Sequence, residues 1–376
     1  MRVTSRSLNT VYPLFTAYKQ FTHGGNFWRD EYLLEQWDRL IQPVIYRDNT
    51  YHGYKLLRRL GSWCWLTRDA HTSDFLTVKF LPRDGNNELG MCEYIRKHCT
   101  SPFVSTIRDH FVIPHHLHNT SQSRFENVSF QAIVYPTTGV CMGRIYDALE
   151  YRPSPDLPLT LERRRKYIAQ IVQGMSELHR IGVVHADLHP GNIALDVPSK
   201  EDMARLLATP PAEDDVRLQD DSLPPPWMPC RSTEPEDIGF SPSGIKIIDF
   251  GFSFISKPGA LYTSDDFPPG NPAPPELLVG DKSTNQPFKA DSWYLGQTMY
   301  FILTGGGLLF RRSIGCNDEG LLEEVVYGLD ALRSGQKEIM NELPQDVKDR
   351  YMPIILGLLE MDPVKRLAIL DIKLDD

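Results

Sequence analysis

Three side chains between residues 187 and 249 are of the types that phosphoryl transfer needs. Asp187 stands in His185-Ala186-Asp187-Leu188-His189-Pro190-Gly191-Asn192, five positions before Asn192. A hydroxyl nucleophile needs a carboxylate that orients it and accepts its proton, and a metal-bound phosphate needs oxygen ligands such as an amide. One short rigid loop would supply both. Asp249 follows the apolar run Ile245-Lys246-Ile247-Ile248, in Asp249-Phe250-Gly251, and offers a second metal-binding carboxylate for the β- and γ-phosphate oxygens. Lys79 ends Leu76-Thr77-Val78-Lys79, a strand of the Val-Ala-Ile-Lys type, whose lysine meets the α- and β-phosphates. Glu88 is preferred as its partner because Met91, Cys92 and Ile95 then fall at +3, +4 and +7, a packing face; Glu93 on the same helix is the fallback. A lone Lys or Glu is a surface charge, so these two assignments depend on the rest of the set.

The elements that must carry these residues fall into two groups. Tyr54–Leu57, Cys64–Thr67 and Phe75–Phe80 read as short strands, with Val104–Ile107 and Phe130–Tyr135 as further candidates. Glu88–His98 reads as a helix between them. Beyond Pro136-Thr137-Thr138-Gly139 the spacing turns helical. Leu161, Ile168, Ile171, Val172, Met175 and Leu178 place one amphipathic helix over 161–180. Ala290–Leu303 is apolar almost all round, as a buried helix is, and Val347–Glu360 is a third. The expected domains are a strand-rich 54–136 and a mainly helical 140–376. Residues 199–243, proline-rich and with ten acidic against four basic side chains, interrupt the second domain, with a short helix expected at Glu201–Leu207.

Composition removes several classes of function. The 41% hydrophobic and 24% charged residues suit a globular chain with a full core. No apolar run is long enough to span a membrane. A net charge of −9 disfavours direct nucleic-acid binding and suits a basic partner. The six scattered cysteines show no C-x-x-C spacing, which argues against zinc and a disulfide framework and for reduced thiols inside the cell. Residues 1–48 read as a leader. Its first 29 residues hold no Asp or Glu but carry Arg2, Arg6, Lys19 and Arg29, so it is either a disordered segment or a mitochondrial transit-like one.

Further motifs follow in order: Pro274-Pro275-Glu276, Asp291-Ser292-Trp293-Tyr294-Leu295-Gly296 and Asp362-Pro363-Val364-Lys365-Arg366. From about residue 54 to 368 the series resembles that of the eukaryotic protein kinases. Within them it looks most similar to the SR-protein kinases, particularly divergent fungal relatives. That narrower resemblance rests on Tyr54–Gly61, Cys64–Asp69, Asp109-His110-Phe111, His185–Ile193 and the long insert before Asp249.

The resemblance implies an α+β, bilobal protein kinase fold: a small antiparallel β N-lobe with one main helix and a larger, mainly α-helical C-lobe. It implies ATP and Mg2+ as cofactors, serine/threonine specificity and protein substrates, Arg/Ser-rich basic ones among them. It assigns catalysis to Asp187, His189 and Asn192, with Asp187 as base. Gly61, Lys79, Glu88, Tyr135 and Asp249 would bind the cofactor, and Asn192 and Asp249 the metal. Gly251, Glu276, Asp291 and Arg366 would be structural, with Glu276 and Arg366 a buried ion pair. The expected compartment is the cytoplasm or nucleus, with the mitochondrion as the alternative from the leader.

Three departures bear on activity. The pattern G-x-G-x-x-G-x-V takes seven steps from first Gly to Val, whereas Gly61 reaches Cys64 in three, and Trp63 stands where small residues are needed. A misjoined exon in the encoding gene would leave the same gap. Ala186 replaces the Arg that reads a phosphate on the activation segment, so phosphorylation at Tyr262, Thr263 or Ser264 has no receptor on this loop. His189 replaces a Lys that steadies the γ-phosphate, as in small-molecule and atypical kinases. Three readings stand: an active protein kinase, a pseudokinase scaffold with impaired ATP binding, and, well behind, a small-molecule kinase.

Overall fold

The computed structural model describes residues 50–60, 64–82, 87–114, 129–143, 145, 159–196, 201, 203, 207–208, 244–268, 273–310, 318–336 and 343–374. The expected leader, Gly61 and almost all of the 199–243 insert lie outside these residues. Glu201, Met203, Leu207 and Ala208 are helical.

Two compact units divide the chain. The first takes the described residues of Met1–Glu93, Thr106–Thr138 and Val197–Gly239; the second takes those of Tyr94–Ser105, Gly139–Asp196 and Phe240–Asp376. The first is built on an antiparallel sheet of β1 (Thr50–Tyr51), β2 (Tyr54–Arg59), β3 (Cys64–Asp69), β4 (Phe75–Pro82), β5 (Asp109–Pro114) and β6 (Ser129–Pro136), in the order β1-β2-β3-β4-β6-β5. Alternation along the strands sends Leu56, Trp65, Leu76, Val78 and Phe80 to one buried face, with Phe111, Ala132 and Val134. Thr77 and Lys79 then face the other way. Helix α1 (Glu88–His98) follows β4.

One expected strand is a correction. Val104–Ile107 makes only an isolated parallel bridge, Val104 to Ile247; the strand is Asp109–Pro114. The backbone of Phe103 and Ser105 is committed to Ile247, with Ile247 N donating to Phe103 O and Ser105 N to Ile247 O. Pairing with β6 begins just after Arg108, whose N–H donates to Val134 O. An apolar pattern alone cannot choose between two such partners.

In the second unit, α2 (Leu161–Arg180) is capped by Thr160, whose hydroxyl accepts from Arg163 N, and buries Ile168, Ile171, Val172, Met175 and Leu178. Gly174 lets α2 approach the short strand β9 (Ile245–Ile247): a β-carbon there would stand 2.7 Å from Ile247 Cδ1. Strand β7 (Val183–Val184) leads into the 185–192 loop, and β8 (Ile193–Leu195) leaves it to pair with β9. Helix α3 (Pro287–Leu303) is buried along most of its length, as its all-round apolar sequence requires. Helices α4 (Asp318–Arg333) and α5 (Gln345–Leu358) follow α3. Among the described residues, no helix is long and apolar enough to cross a membrane.

Candidate active site

The 185–192 loop is hung from helix α3. The Asp291 carboxylate, fully buried, accepts the backbone N–H of His185 at 2.8 Å and of Ala186 at 2.9 Å, and pairs with His179 Nε2 at 2.9 Å. Two charge-assisted bonds to adjacent amides fix the backbone just before Asp187. Ala186 there takes a left-handed φ of 64°. The His185 ring braces the same turn. Its Nδ1 accepts from Asp187 N at 3.3 Å, so its proton sits on Nε2, which donates to Ile248 O at 3.3 Å. The loop is thereby tied to the residue preceding Asp249.

Asn192 closes the loop on itself. Its Nδ2 donates to Asp187 O at 2.8 Å and to Asp187 Oδ2 at 3.1 Å, and both residues are buried. With both amide protons used, Asn192 Oδ1 is the atom left to meet a cation. Ile248 N donates to Asn192 O at 3.0 Å, which carries the chain into Asp249. Asp249 itself has a φ of 65° and accepts from Gly251 N at 3.4 Å. Phe250 is buried against the His185 ring, centroids 5.5 Å apart.

His189 sits at the start of the Pro190–Asn192 turn, where its Nδ1 accepts from Gly191 N at 3.1 Å. The neutral ring therefore carries its proton on Nε2, 3.8 Å from Asp187 Oδ1. Gly191 is required for this: a β-carbon there would lie 2.5 Å from His189 Cε1. The buried phenol of Tyr294, one turn beyond Asp291, has its pKa raised by burial first and then by the Asp187 and Asp291 charges.

Glu276 and Arg366 form a two-pronged pair, Nη1 to Oε1 at 2.7 Å and Nη2 to Oε2 at 2.8 Å. The guanidinium is buried with its centre 5.1 Å from the Trp293 ring centroid.

Within the first unit Lys79 Nζ donates to both Glu88 oxygens at 2.9 Å, and Glu88 is buried. Glu93, the other carboxylate considered for Lys79, is exposed and 3.9 Å from His110. Tyr135 places its hydroxyl 3.0 Å from Glu88 Oε1. Each set of side chains is thus assembled inside its own unit: Lys79, Glu88 and Tyr135 in one, Asp187, His189, Asn192 and Asp249 in the other. Two partnerships escaped the sequence, His179 with Asp291 and Cys92 with Tyr135. Neither has a local signal, since the partners stand 112 and 43 residues apart.

A profile of the protein kinase domain matches residues 137–375, more than half of the chain. The chain belongs to the protein kinase family. Its fold is the bilobal α+β protein kinase fold. Relatives include the human hormonally up-regulated neu tumor-associated kinase, 31% identical over 206 residues, covering 54% of this chain and 20% of that protein. The serine/threonine-protein kinase kin-29 of Caenorhabditis briggsae is 26% identical over 267 residues, 71% of this chain and 24% of that one. Human serine/threonine-protein kinase STK11 is 24% identical over 242 residues, 64% of this chain and 42% of its own length. The chain spans about a fifth of the first of these relatives.

Protein kinases in general use ATP with Mg2+, which neutralises charge on the phosphates being transferred. The residues present fit that pair. The amide oxygen of Asn192, turned away from Asp187 by its own N–H bonds, and the Asp249 carboxylate are hard oxygen donors of the kind Mg2+ takes. Lys79, held by Glu88, is a fixed cation of the kind that meets phosphate oxygens.

Proposed function

We propose that this chain is an ATP- and Mg2+-dependent serine/threonine protein kinase. Asp187 orients the substrate hydroxyl and takes its proton; Asn192 and Asp249 hold Mg2+; Lys79 holds the α- and β-phosphates and Glu88 holds Lys79. His189 donates its Nε2 proton toward the γ-phosphate in place of a lysine. The observation that carries the reading is the Asn192–Asp187 bond of 3.1 Å in a loop suspended from Asp291. It gives base and metal ligand one rigid support. The test is phosphate transfer from labelled ATP to an Arg/Ser-rich peptide. Asp187→Asn is expected to cost about 10²–10⁴ in rate. Undiminished transfer by that variant would refute the assignment.

The substrate in this reading is a basic protein of the Arg/Ser-rich kind, and the nearest kinship is to the SR-protein kinases. The acidic residues of 199–243 favour it. The reading places the chain inside the cell, in cytoplasm or nucleus. The four described cysteines, Cys64, Cys92, Cys99 and Cys141, are thiols, which suits a reducing compartment.

A pseudokinase scaffold is the second reading, and one observation favours it. Leu60 N donates to Cys64 O at 2.8 Å, and β2 and β3 are joined across only residues 60–63. That leaves few backbone amides to cover phosphates. Thermal unfolding with and without Mg·ATP separates the two: a scaffold that does not bind nucleotide shows no shift and no peptide phosphorylation.

A further inference from the structure

Tyr135 does more in the first unit than line a nucleotide site. Sheet register pairs Tyr135 with Thr77 and Ile133 with Lys79. Residues two apart share a face, so the Tyr135 and Lys79 side chains leave the sheet on the same side. Both meet Glu88 there. Lys79 Nζ reaches the two carboxylate oxygens at 2.9 Å, and the Tyr135 hydroxyl reaches Oε1 at 3.0 Å. One helical turn after Glu88, Cys92 Sγ lies 3.2 Å from the same hydroxyl. Glu88 and Cys92 are 1% and 2% exposed.

Burial makes the direction of these bonds decidable. A carboxylate only accepts, so the single phenol proton goes to Glu88 Oε1. The phenol oxygen is then an acceptor, and the Cys92 S–H donates to it. The chain runs from Cys92 to Tyr135 to Glu88, with Lys79 closing it on the far side. Both helix residues in it sit on the same face of α1, so the phenol grips the first turns of that helix at two points. Burial, and then the Glu88 charge, holds the Tyr135 pKa well above its ordinary value, so the hydroxyl stays protonated.

We infer that Tyr135 is a positioning residue: its hydroxyl pins Glu88 in the conformation that pairs with Lys79 and fixes the start of helix α1 against the sheet. A side chain lacking that oxygen would leave Glu88 with one fewer donor and Cys92 with one fewer acceptor, and the helix start would open more often. The consequence for ATP rests on the kinase reading; the consequence for the helix does not.

The experiment is amide hydrogen exchange over Glu88–Cys92 in the full, nucleotide-free chain, read by mass spectrometry. Tyr135→Phe keeps the ring and removes only the oxygen. It is expected to speed exchange there about tenfold, the scale of one lost bond to a charged group. Cys92→Ala, which takes away the donor to the phenol but leaves the Tyr135–Glu88 bond in place, gives a smaller acceleration in the same segment. In a Glu88→Gln background, Tyr135→Phe adds little, because the bond it removes has already lost its charge. A purely packing role of the ring predicts the opposite: no acceleration in Tyr135→Phe, or the same acceleration with and without Glu88→Gln. Either result overturns the inference. If the chain phosphorylates a peptide, Tyr135→Phe also lowers kcat/KM for ATP about tenfold, again only where Glu88 is intact. If the chain binds no ATP, the kinase reading falls while the exchange result still decides the role of Tyr135.

Discussion

Replacing Glu276 with alanine leaves Arg366 buried without its counter-charge, and the structure sets the size of the penalty. A guanidinium has five N–H donors. Two go to the Glu276 oxygens at 2.7 and 2.8 Å. The other three go to Glu360 O at 2.8 Å, Lys289 O at 2.9 Å and Met361 O at 3.4 Å. Removing one partner of a buried ion pair costs roughly 3–5 kcal/mol. Three carbonyls and the Trp293 ring remain to Arg366, so the lower end applies, about 3 kcal/mol. At about 2–4 °C per kcal/mol for a unit of this size, Tm falls by roughly 6–12 °C. Thermal unfolding by circular dichroism reads it. The double variant Glu276→Ala/Arg366→Met carries no stranded charge and is expected to recover much of the loss. A fall below about 2 °C in Glu276→Ala, or a double variant as unstable as the two singles combined, would refute this view of the pair.

Gly191→Ala pushes a β-carbon into the His189 ring, 2.5 Å from Cε1. It is expected to lower kcat in a peptide assay about tenfold, the scale of one misplaced hydrogen bond, with little change in Tm. Thr263→Ala and Ser264→Ala are expected to retain turnover. Ala186 brings no cation, and the segment is already held by Phe254, whose ring stacks on Tyr262 at 4.6 Å and meets Phe267 at 5.9 Å. Loss of turnover in a folded variant would contradict that. Tyr54 donates to Asp109 at 2.8 Å, and burial followed by that bond pushes its pKa up to about 12. A raised folded-state pKa contributes stability that is complete below about pH 10, the ordinary tyrosine value, and is lost as pH climbs through 12. Tyr54→Phe is therefore expected to flatten the pH dependence of denaturant midpoints between pH 10 and 12.

Much of the site was legible because its residues are close in sequence. Asp187 and Asn192 share one loop, and the apolar strand before Asp249 announced where that carboxylate would be delivered. Glu88 over Glu93 followed from the packing face of one helix, a local periodicity. The missed features are long-range. Nothing around His179 foretells Asp291, and nothing around Cys92 foretells Tyr135, because hydrogen bonds between distant segments leave no period in the chain. The Val104–Ile107 segment failed for a related reason: its apolar pattern suits a strand, but its backbone partners are on Ile247.

The sequence by itself determined the chemical types, their order and the division into a strand-rich and a helical part, because periodicity and loop spacing are written along the chain. Only the tertiary structure decided which atoms are committed and which are left to act. Asn192 is oriented by giving both amide protons to Asp187, and His189 carries its proton on Nε2 because Gly191 has taken Nδ1. Proton positions and hydrogen-bond directions depend on neighbours brought together by folding, and no residue type specifies them alone.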